Sequence, residues 1–275
     1  MRLRPRVLPW FALLLAAAAA PFMAQPSPAR GAPPQQLTVF AAASLAETFQ
    51  DLAHRFEAAH PGVQVRMSFL GSQQLASQLA QGAPADVFAS ADDRAMEAAK
   101  AAGRVDGDSA IFAQNRLVVI VPRTNPARIG RLEDLARHGV KFVLGAENVP
   151  VGHYGRAVLA NLAARPGFGP DFARRALANV VSEEENVKGV VGKVQLGEAD
   201  AGMCYRSDVT SAVSRYVTTI AIPDSANVLA SYAIAVVTPA AAPGLARAFV
   251  DLVRSPAGQK ALVAHGFVPV GPTRP

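Results

Sequence analysis

Two serines in this chain stand where an anion can be held without any cationic side chain. Ser44 ends the run Leu37-Thr-Val-Phe-Ala-Ala-Ala-Ser44, and Ser72 ends Val63-Gln-Val-Arg-Met-Ser-Phe-Leu-Gly-Ser72. Each run reads as a short apolar strand that opens into an amphipathic helix. The first turn of a helix has free backbone N–H groups and a partial positive charge, so it attracts negative charge. Two such junctions on neighbouring strands would point into the same space. Three further positions fit the same chemistry. Val149-Pro-Val-Gly152 precedes a helix and leaves the Val151 N–H free. Glu183-Glu-Glu-Asn-Val187 opens another helix, where acids complement the dipole and the Val187 N–H can face inward. Tyr205 ends the strand pattern Ala-Gly-Met-Cys-Tyr, so its hydroxyl could donate into a cleft. The set Ser44, Ser72, Val151, Val187 and Tyr205 offers donors and no obligatory acceptor, which suits a small, fully deprotonated oxyanion.

Competing local roles exist for the serines. Ser44-Leu-Ala-Glu47 has the spacing of a capping box, with Glu47 reaching back to the Ser44 backbone. Ser72 has Leu75 three residues on, which has no acceptor for that role, and Gly71 before it allows close backbone approach.

The elements that must position these groups alternate. Strands are predicted at 37–42, 63–69, 86–90, 115–122, 141–145, 199–205 and 231–238. Helices are predicted at 45–59, 73–81, 92–102 and 132–137, after His153, and at 187–196, 244–254 and 256–265. Such alternation predicts an α/β fold with parallel sheet and helices on its faces. The long apolar runs Asn115–Pro122 and Ser231–Thr238 read as crossings between two lobes: one of residues 37–118 with 225–275, the other of residues 119–224. A ligand would then sit in the cleft, at the carboxyl ends of strands.

Composition narrows the classes. Arg2, Arg4 and Arg6 precede an apolar run from Trp10 to Ala20, too short to span a bilayer, so residues 1–31 read as an export signal with an uncertain cut site. The formal charge of +6 is mostly that segment's: without it, 23 basic residues face 21 acidic ones. No basic run or basic–aromatic stripe remains, which argues against nucleic-acid binding. The single cysteine, Cys204, excludes an internal disulfide and lies far from the position where a lipoprotein is acylated. A soluble protein exported without an anchor is expected in a periplasm. No Gly-x-Ser-x-Gly elbow, nucleotide phosphate loop or metal-ligand histidine spacing occurs, so an enzyme such as a periplasmic hydrolase is disfavoured.

Six motifs together resemble one family: Thr38-Val-Phe-Ala-Ala-Ala-Ser-Leu45, Gly82-Ala-Pro-Ala-Asp-Val-Phe-Ala-Ser-Ala91, Asn148-Val-Pro-Val-Gly152, Glu185-Asn-Val187, Gly202-Met-Cys-Tyr-Arg-Ser-Asp208 and Gly266-Phe267. The chain is similar to periplasmic molybdate-binding proteins of the ModA type, the substrate receptors of ABC importers. The resemblance implies a two-lobe periplasmic-binding-protein fold of the type II, Venus-flytrap kind. It also implies molybdate, and tungstate with it, as ligand rather than cofactor, and a membrane permease as partner of a monomeric receptor. The oxyanion would accept from Ser44, Ser72, the Val151 and Val187 amides and Tyr205, with no direct ligand to the metal. Gly71, Val151 and Asn186 stand where the family often has serine, alanine and aspartate. Sulfate or thiosulfate, also pure acceptors, are the alternative ligands.

Overall fold

The two serine junctions lie side by side because the strands that carry them pair in parallel and in register. The computed structural model describes residues 34–270 except Asp106 and Asp108, so the leader predicted at 1–31 lies outside the described residues. Strand β1 (Gln35–Ala42) pairs with β2 (Val63–Leu70) such that Ala42 stands opposite Leu70. Both strands therefore end on the same edge, one feeding Ser44 and the other Ser72. β1 alternates Leu37, Val39 and Ala41 into the core, where all three are fully buried. Helix α1 (Ala46–Ala59) covers that face with Phe49, Leu52 and Phe56, spaced at the helical period.

Strand β3 (Val87–Ser90) joins β1 in parallel on its other side. Helices α2 (Ser72–Ala80) and α3 (Asp93–Ala101) pack beside it around a second apolar cluster that includes Leu75, Leu79, Phe88 and Met96. The long strand β4 (Ala110–Pro122) then connects two sheets. Its first half, up to Arg116, pairs antiparallel with β9 (Leu229–Val236), which pairs antiparallel with β3. Its second half, from Leu117, pairs antiparallel with β7 (Ala201–Tyr205) and β8 (Val217–Ala221). The second sheet also contains β5 (Phe142–Gly145), parallel to β6 (Val180–Glu184) and to β7. Helices α4 (Pro150–Ala163), α5 (Phe172–Ala178) and α6 (Val187–Gln195) flank it, and α7 (Pro243–Arg254) with α8 (Pro256–Ala264) closes the chain. The architecture is the expected two-lobe α/β fold.

The sheet is mixed rather than parallel throughout, because β4 and β9 run against their neighbours. Two strands and a helix, β6, β8 and α5, are additional to the predicted set. β6 and β8 carry exposed polar positions and lack the apolar run of a central strand. Cys204 is a free thiol inside β7, and burial pushes it well above the ordinary thiol range, which leaves it unreactive. Among the described residues no helix is long and apolar enough to cross a membrane.

Candidate functional site

Five strand ends from the two sheets converge on one small pocket. It is lined by Ser44, Ser72, Val151, Val187 and Tyr205, together with Ala42, Ala43, Leu70, Gly71, Ala91, Val149, Pro150 and Asn186. The five residues singled out in the sequence are all at most 5% exposed. Those five follow or end β1, β2, β5, β6 and β7, which are the carboxyl ends where open α/β sheets hold ligands.

Each donor is left available for a specific local reason. In α4 the first helical residue is Pro150, which has no N–H, so the Val151 N–H is the first that the helix presents. Gly152 is required next to it: a Cβ there would lie 2.1 Å from the Ala146 carbonyl oxygen. In α6, the Asn186 side chain accepts from the N–H groups of Lys188 (3.0 Å) and Gly189 (3.2 Å). That cap passes over the Val187 N–H, which precedes them. Ser72 Oγ accepts from the Ala91 N–H at 2.9 Å, so its own hydrogen is free. Ser44 Oγ lies 2.9 Å from the Tyr232 hydroxyl. The Tyr205 hydroxyl is buried without a hydrogen-bond partner among the described residues. Burial pushes that phenol well above its ordinary range, helped by Tyr232, Tyr154 and the acids Asp92 and Asp208, so it keeps its proton.

Four local expectations are corrected. Ser44 does not cap α1: it lies in a short 3-10 turn over Ala43–Leu45, and no side chain caps the helix. Glu47 turns instead to Lys188, 2.9 Å from each carboxylate oxygen. Its charge is thereby matched by an ammonium. Helix α2 starts one residue earlier than predicted, at Ser72; Gly71 precedes it with no side chain to cap with, and Gln74 Oε1 reaches back to accept from the Gly71 N–H at 3.1 Å. Glu183 and Glu184 end β6 rather than open a helix, and Val149 is itself the residue before the first turn of α4.

The sequence reading missed the residues behind the pocket. Lys188 bridges Glu47 and the fully buried Asp208, whose Oδ1 is 3.2 Å away. Asp208 Oδ2 accepts from the Tyr205 N–H at 3.1 Å and so fixes the turn that aims Tyr205. Tyr232 and Asn115 are both fully buried within strands β9 and β4. A buried polar residue inside a strand is the signal that could have singled them out, since such groups need partners.

No charged side chain lines the pocket, and its lining supplies hydroxyls, backbone amides and apolar surface. Among the described residues no cluster of three or more histidine, cysteine or acidic side chains could hold a bare metal ion. The arrangement can bind an acceptor-only group.

Comparison with known proteins agrees with this chemistry. The family model described as bacterial extracellular solute-binding protein matches residues 37–268. The molybdate-binding protein ModA of Mycobacterium tuberculosis (strain ATCC 25618 / H37Rv) is 40% identical over 240 residues, covering 87% of this chain and 86% of that protein. The Azotobacter vinelandii periplasmic molybdate-binding protein superposes with a TM-score of 0.72 at 23% identity, covering 86% of this chain and 100% of that one. The sulfate-binding protein SubI of M. tuberculosis H37Rv gives a TM-score of 0.76 at 23% identity, covering 86% and 88%. At those identities the two structures speak for the fold alone.

Proposed function

We infer, from the premise that this chain belongs to the bacterial extracellular solute-binding protein family and to its ModA-type molybdate-binding members, that the pocket at the five strand ends is where it holds its ligand. The protein is a molybdate-binding substrate-binding protein of an ABC transporter. In this reading Ser44, Ser72 and Tyr205 donate through hydroxyls, and Val151 and Val187 through backbone N–H groups. The observation that carries the assignment is the Tyr205 hydroxyl, buried in the pocket wall with nothing to donate to. A buried polar group without a partner is rare and marks the place of a missing acceptor.

The energetics support it. Burying a dianion without a counter-charge is expensive. Hydrogen bonds to a charged group contribute roughly 1.5–3 kcal/mol each, so five or more can offset desolvation and leave about −8 kcal/mol, micromolar binding or better. Molybdate and tungstate, fully deprotonated near neutrality, fit a lining made of donors. Phosphate retains a proton there and asks for an acceptor.

The lobes are placed at 37–118 with 225–275, and at 119–224. Support comes from the change of partner within β4 between Arg116 and Leu117. The Asn227 side chain spans that point, accepting from the Leu117 N–H at 3.1 Å and donating to its carbonyl at 2.9 Å. Across the cleft, Gln74 Nε2 donates to Glu185 Oε2 at 2.7 Å and Gln73 Nε2 to the Glu185 carbonyl at 2.9 Å. These bonds, with Lys188 to Glu47, hold the lobes together in the closed form. Residues 1–31 act as the export signal, the mature protein works as a monomer in the periplasm, and an inner-membrane permease reads the closed form.

Thermal unfolding with each ion in turn tests the function. At about 100 times the dissociation constant a ligand should add about 2.7 kcal/mol of stability. Molybdate and tungstate are expected to raise the melting temperature, and phosphate to leave it unchanged; a shift as large with sulfate as with molybdate would replace the assigned ligand.

Closure has its own test. A Cβ on Gly71 would sit 2.4 Å from the Glu185 carbonyl oxygen on the opposite side of the cleft. Gly71→Ala should therefore weaken molybdate binding about tenfold, from overpacking of roughly 1–3 kcal/mol, and leave the ligand-free melting temperature nearly unchanged. Unaltered affinity by calorimetry would show that the two backbones need not approach.

A further inference from the structure

The selectivity of this pocket is wired from behind it. Ser44 has one hydroxyl hydrogen and two lone pairs, so it can face a ligand as donor or as acceptor. Its partner, Tyr232 on β9, does not line the pocket and is fully buried. The Tyr232 ring is wedged between those of Phe267, Tyr205 and Phe112, with centroids 5.3, 5.8 and 6.3 Å away, so its hydroxyl has little freedom to move off Ser44. The direction of the 2.9 Å Ser44–Tyr232 bond follows from what each hydroxyl can reach. Among the described residues Ser44 Oγ is the hydrogen-bond partner of the Tyr232 hydroxyl, and a buried O–H left without an acceptor is costly. Ser44 lines the pocket and has the ligand for its own hydrogen, whereas Tyr232 does not line it. The phenol therefore directs its hydrogen at Ser44 Oγ.

Resting on the reading of the pocket as an oxyanion site, we propose that Tyr232 is a positioning residue that turns the Ser44 hydrogen toward the ligand and thereby sets the preference for fully deprotonated oxyanions over protonated ones. Ser72 is fixed the same way by a backbone group, the Ala91 N–H. Tyr205 has no acceptor among the described residues. All three hydroxyls then turn a hydrogen toward the ligand, and the hydrogen of a protonated oxyanion meets no side chain obliged to accept it. Burial holds the Tyr232 phenol well above its ordinary range, against the opposing hydrogen bond to Ser44, so the donor persists at neutral pH. Of the two serines only Ser44 is wired through side chains, and so only its direction can be reset by substitution.

The test is calorimetric titration of molybdate into the purified wild type, Tyr232→Phe and Ser44→Ala, with and without excess inorganic phosphate, ionic strength being matched with chloride. Removing the phenol hydrogen frees Ser44 to rotate. Tyr232→Phe should bind molybdate about three- to tenfold more weakly, and phosphate should now compete, narrowing the molybdate-to-phosphate affinity ratio at least threefold. Ser44→Ala should lose molybdate affinity with no gain for phosphate. A Tyr232→Phe protein that binds as the wild type does, or that loses affinity with the ratio unchanged, overturns the proposal and leaves Tyr232 as packing. If that variant does not fold, Tyr232→Met, which also removes the phenol and fills its space with a flexible apolar chain, reads the same ratio with the same outcomes. A wild type that binds no molybdate removes the pocket reading itself, a result separable from the behaviour of the variants.

Discussion

A Lys188→Met variant should unfold about 10 °C below the wild type at pH 8 and recover much of that loss at pH 5. The reason lies in Asp208, which is fully buried and has Lys188 as its cationic partner at 3.2 Å. Burial drives the Asp208 carboxyl above its usual range, and the Lys188 ammonium is the main opposing influence. Burial works against the ammonium too, but Asp208 and Glu47 together hold Lys188 above its ordinary value. Breaking a buried pair by removing one partner costs about 3–5 kcal/mol, because the other charge is left uncompensated. In a chain of this size each kcal/mol moves the melting temperature by about 2–4 °C. The variant escapes part of the cost by protonating Asp208. A carboxyl whose folded pKa lies above its unfolded value contributes stability that is present below the unfolded value and is lost as pH rises through the folded one. The deficit must therefore grow with pH. Thermal melts of both proteins from pH 5 to 8 check it, and a deficit independent of pH would mean that Asp208 does not titrate with the pair. Glu47→Gln is the control. Glu47 is 41% exposed, and loss of a solvated partner should change stability by at most about 1 kcal/mol.

What the sequence made legible, and what it did not, divides along physical lines. The Ser44 and Ser72 junctions could be read because strand-to-helix transitions are local and their apolar periods are strong. That they end at one edge also followed, since two neighbouring strands of like direction put their carboxyl ends together. The direction of β4 and β9 could not be read, because an apolar run reports burial and not orientation. Glu183 and Glu184 misled for a related reason: acids are common at helix starts, yet here they end an edge strand, where Glu184 is held below its usual range by Lys193 and Ser182 despite burial. The capping box at Ser44 failed because a partner 141 residues away, Lys188, outcompeted the local one for Glu47. Tyr232 and Asn115 were readable only as polar residues within strands that would need partners. The partners themselves, Ser44 and Ser207, lie 188 and 92 residues away, which no spacing reports.

Tyr205→Phe and Ser72→Ala should part company without ligand and agree with it. The Tyr205 hydroxyl bonds to nothing among the described residues, so its removal should leave the ligand-free melting temperature unchanged or raise it slightly. Ser72 Oγ, by contrast, is the acceptor for the buried Ala91 N–H. Alanine at that position strands the amide, which costs about 1–3 kcal/mol before any ligand is present. With molybdate the two variants converge, because each lacks one hydrogen bond to a dianion. A bond of that kind contributes about 1.5–3 kcal/mol, so affinity should fall about 10- to 150-fold in both. Melting curves with and without molybdate separate the two terms directly. For Tyr205→Phe the ligand-free curve stays in place and the ligand-induced shift shrinks; for Ser72→Ala both decline. A Tyr205→Phe protein with full affinity would take the phenol out of the site. One destabilised as much as Ser72→Ala would show that the hydroxyl supports the fold, and the reading of a donor held open for the ligand would fall with it.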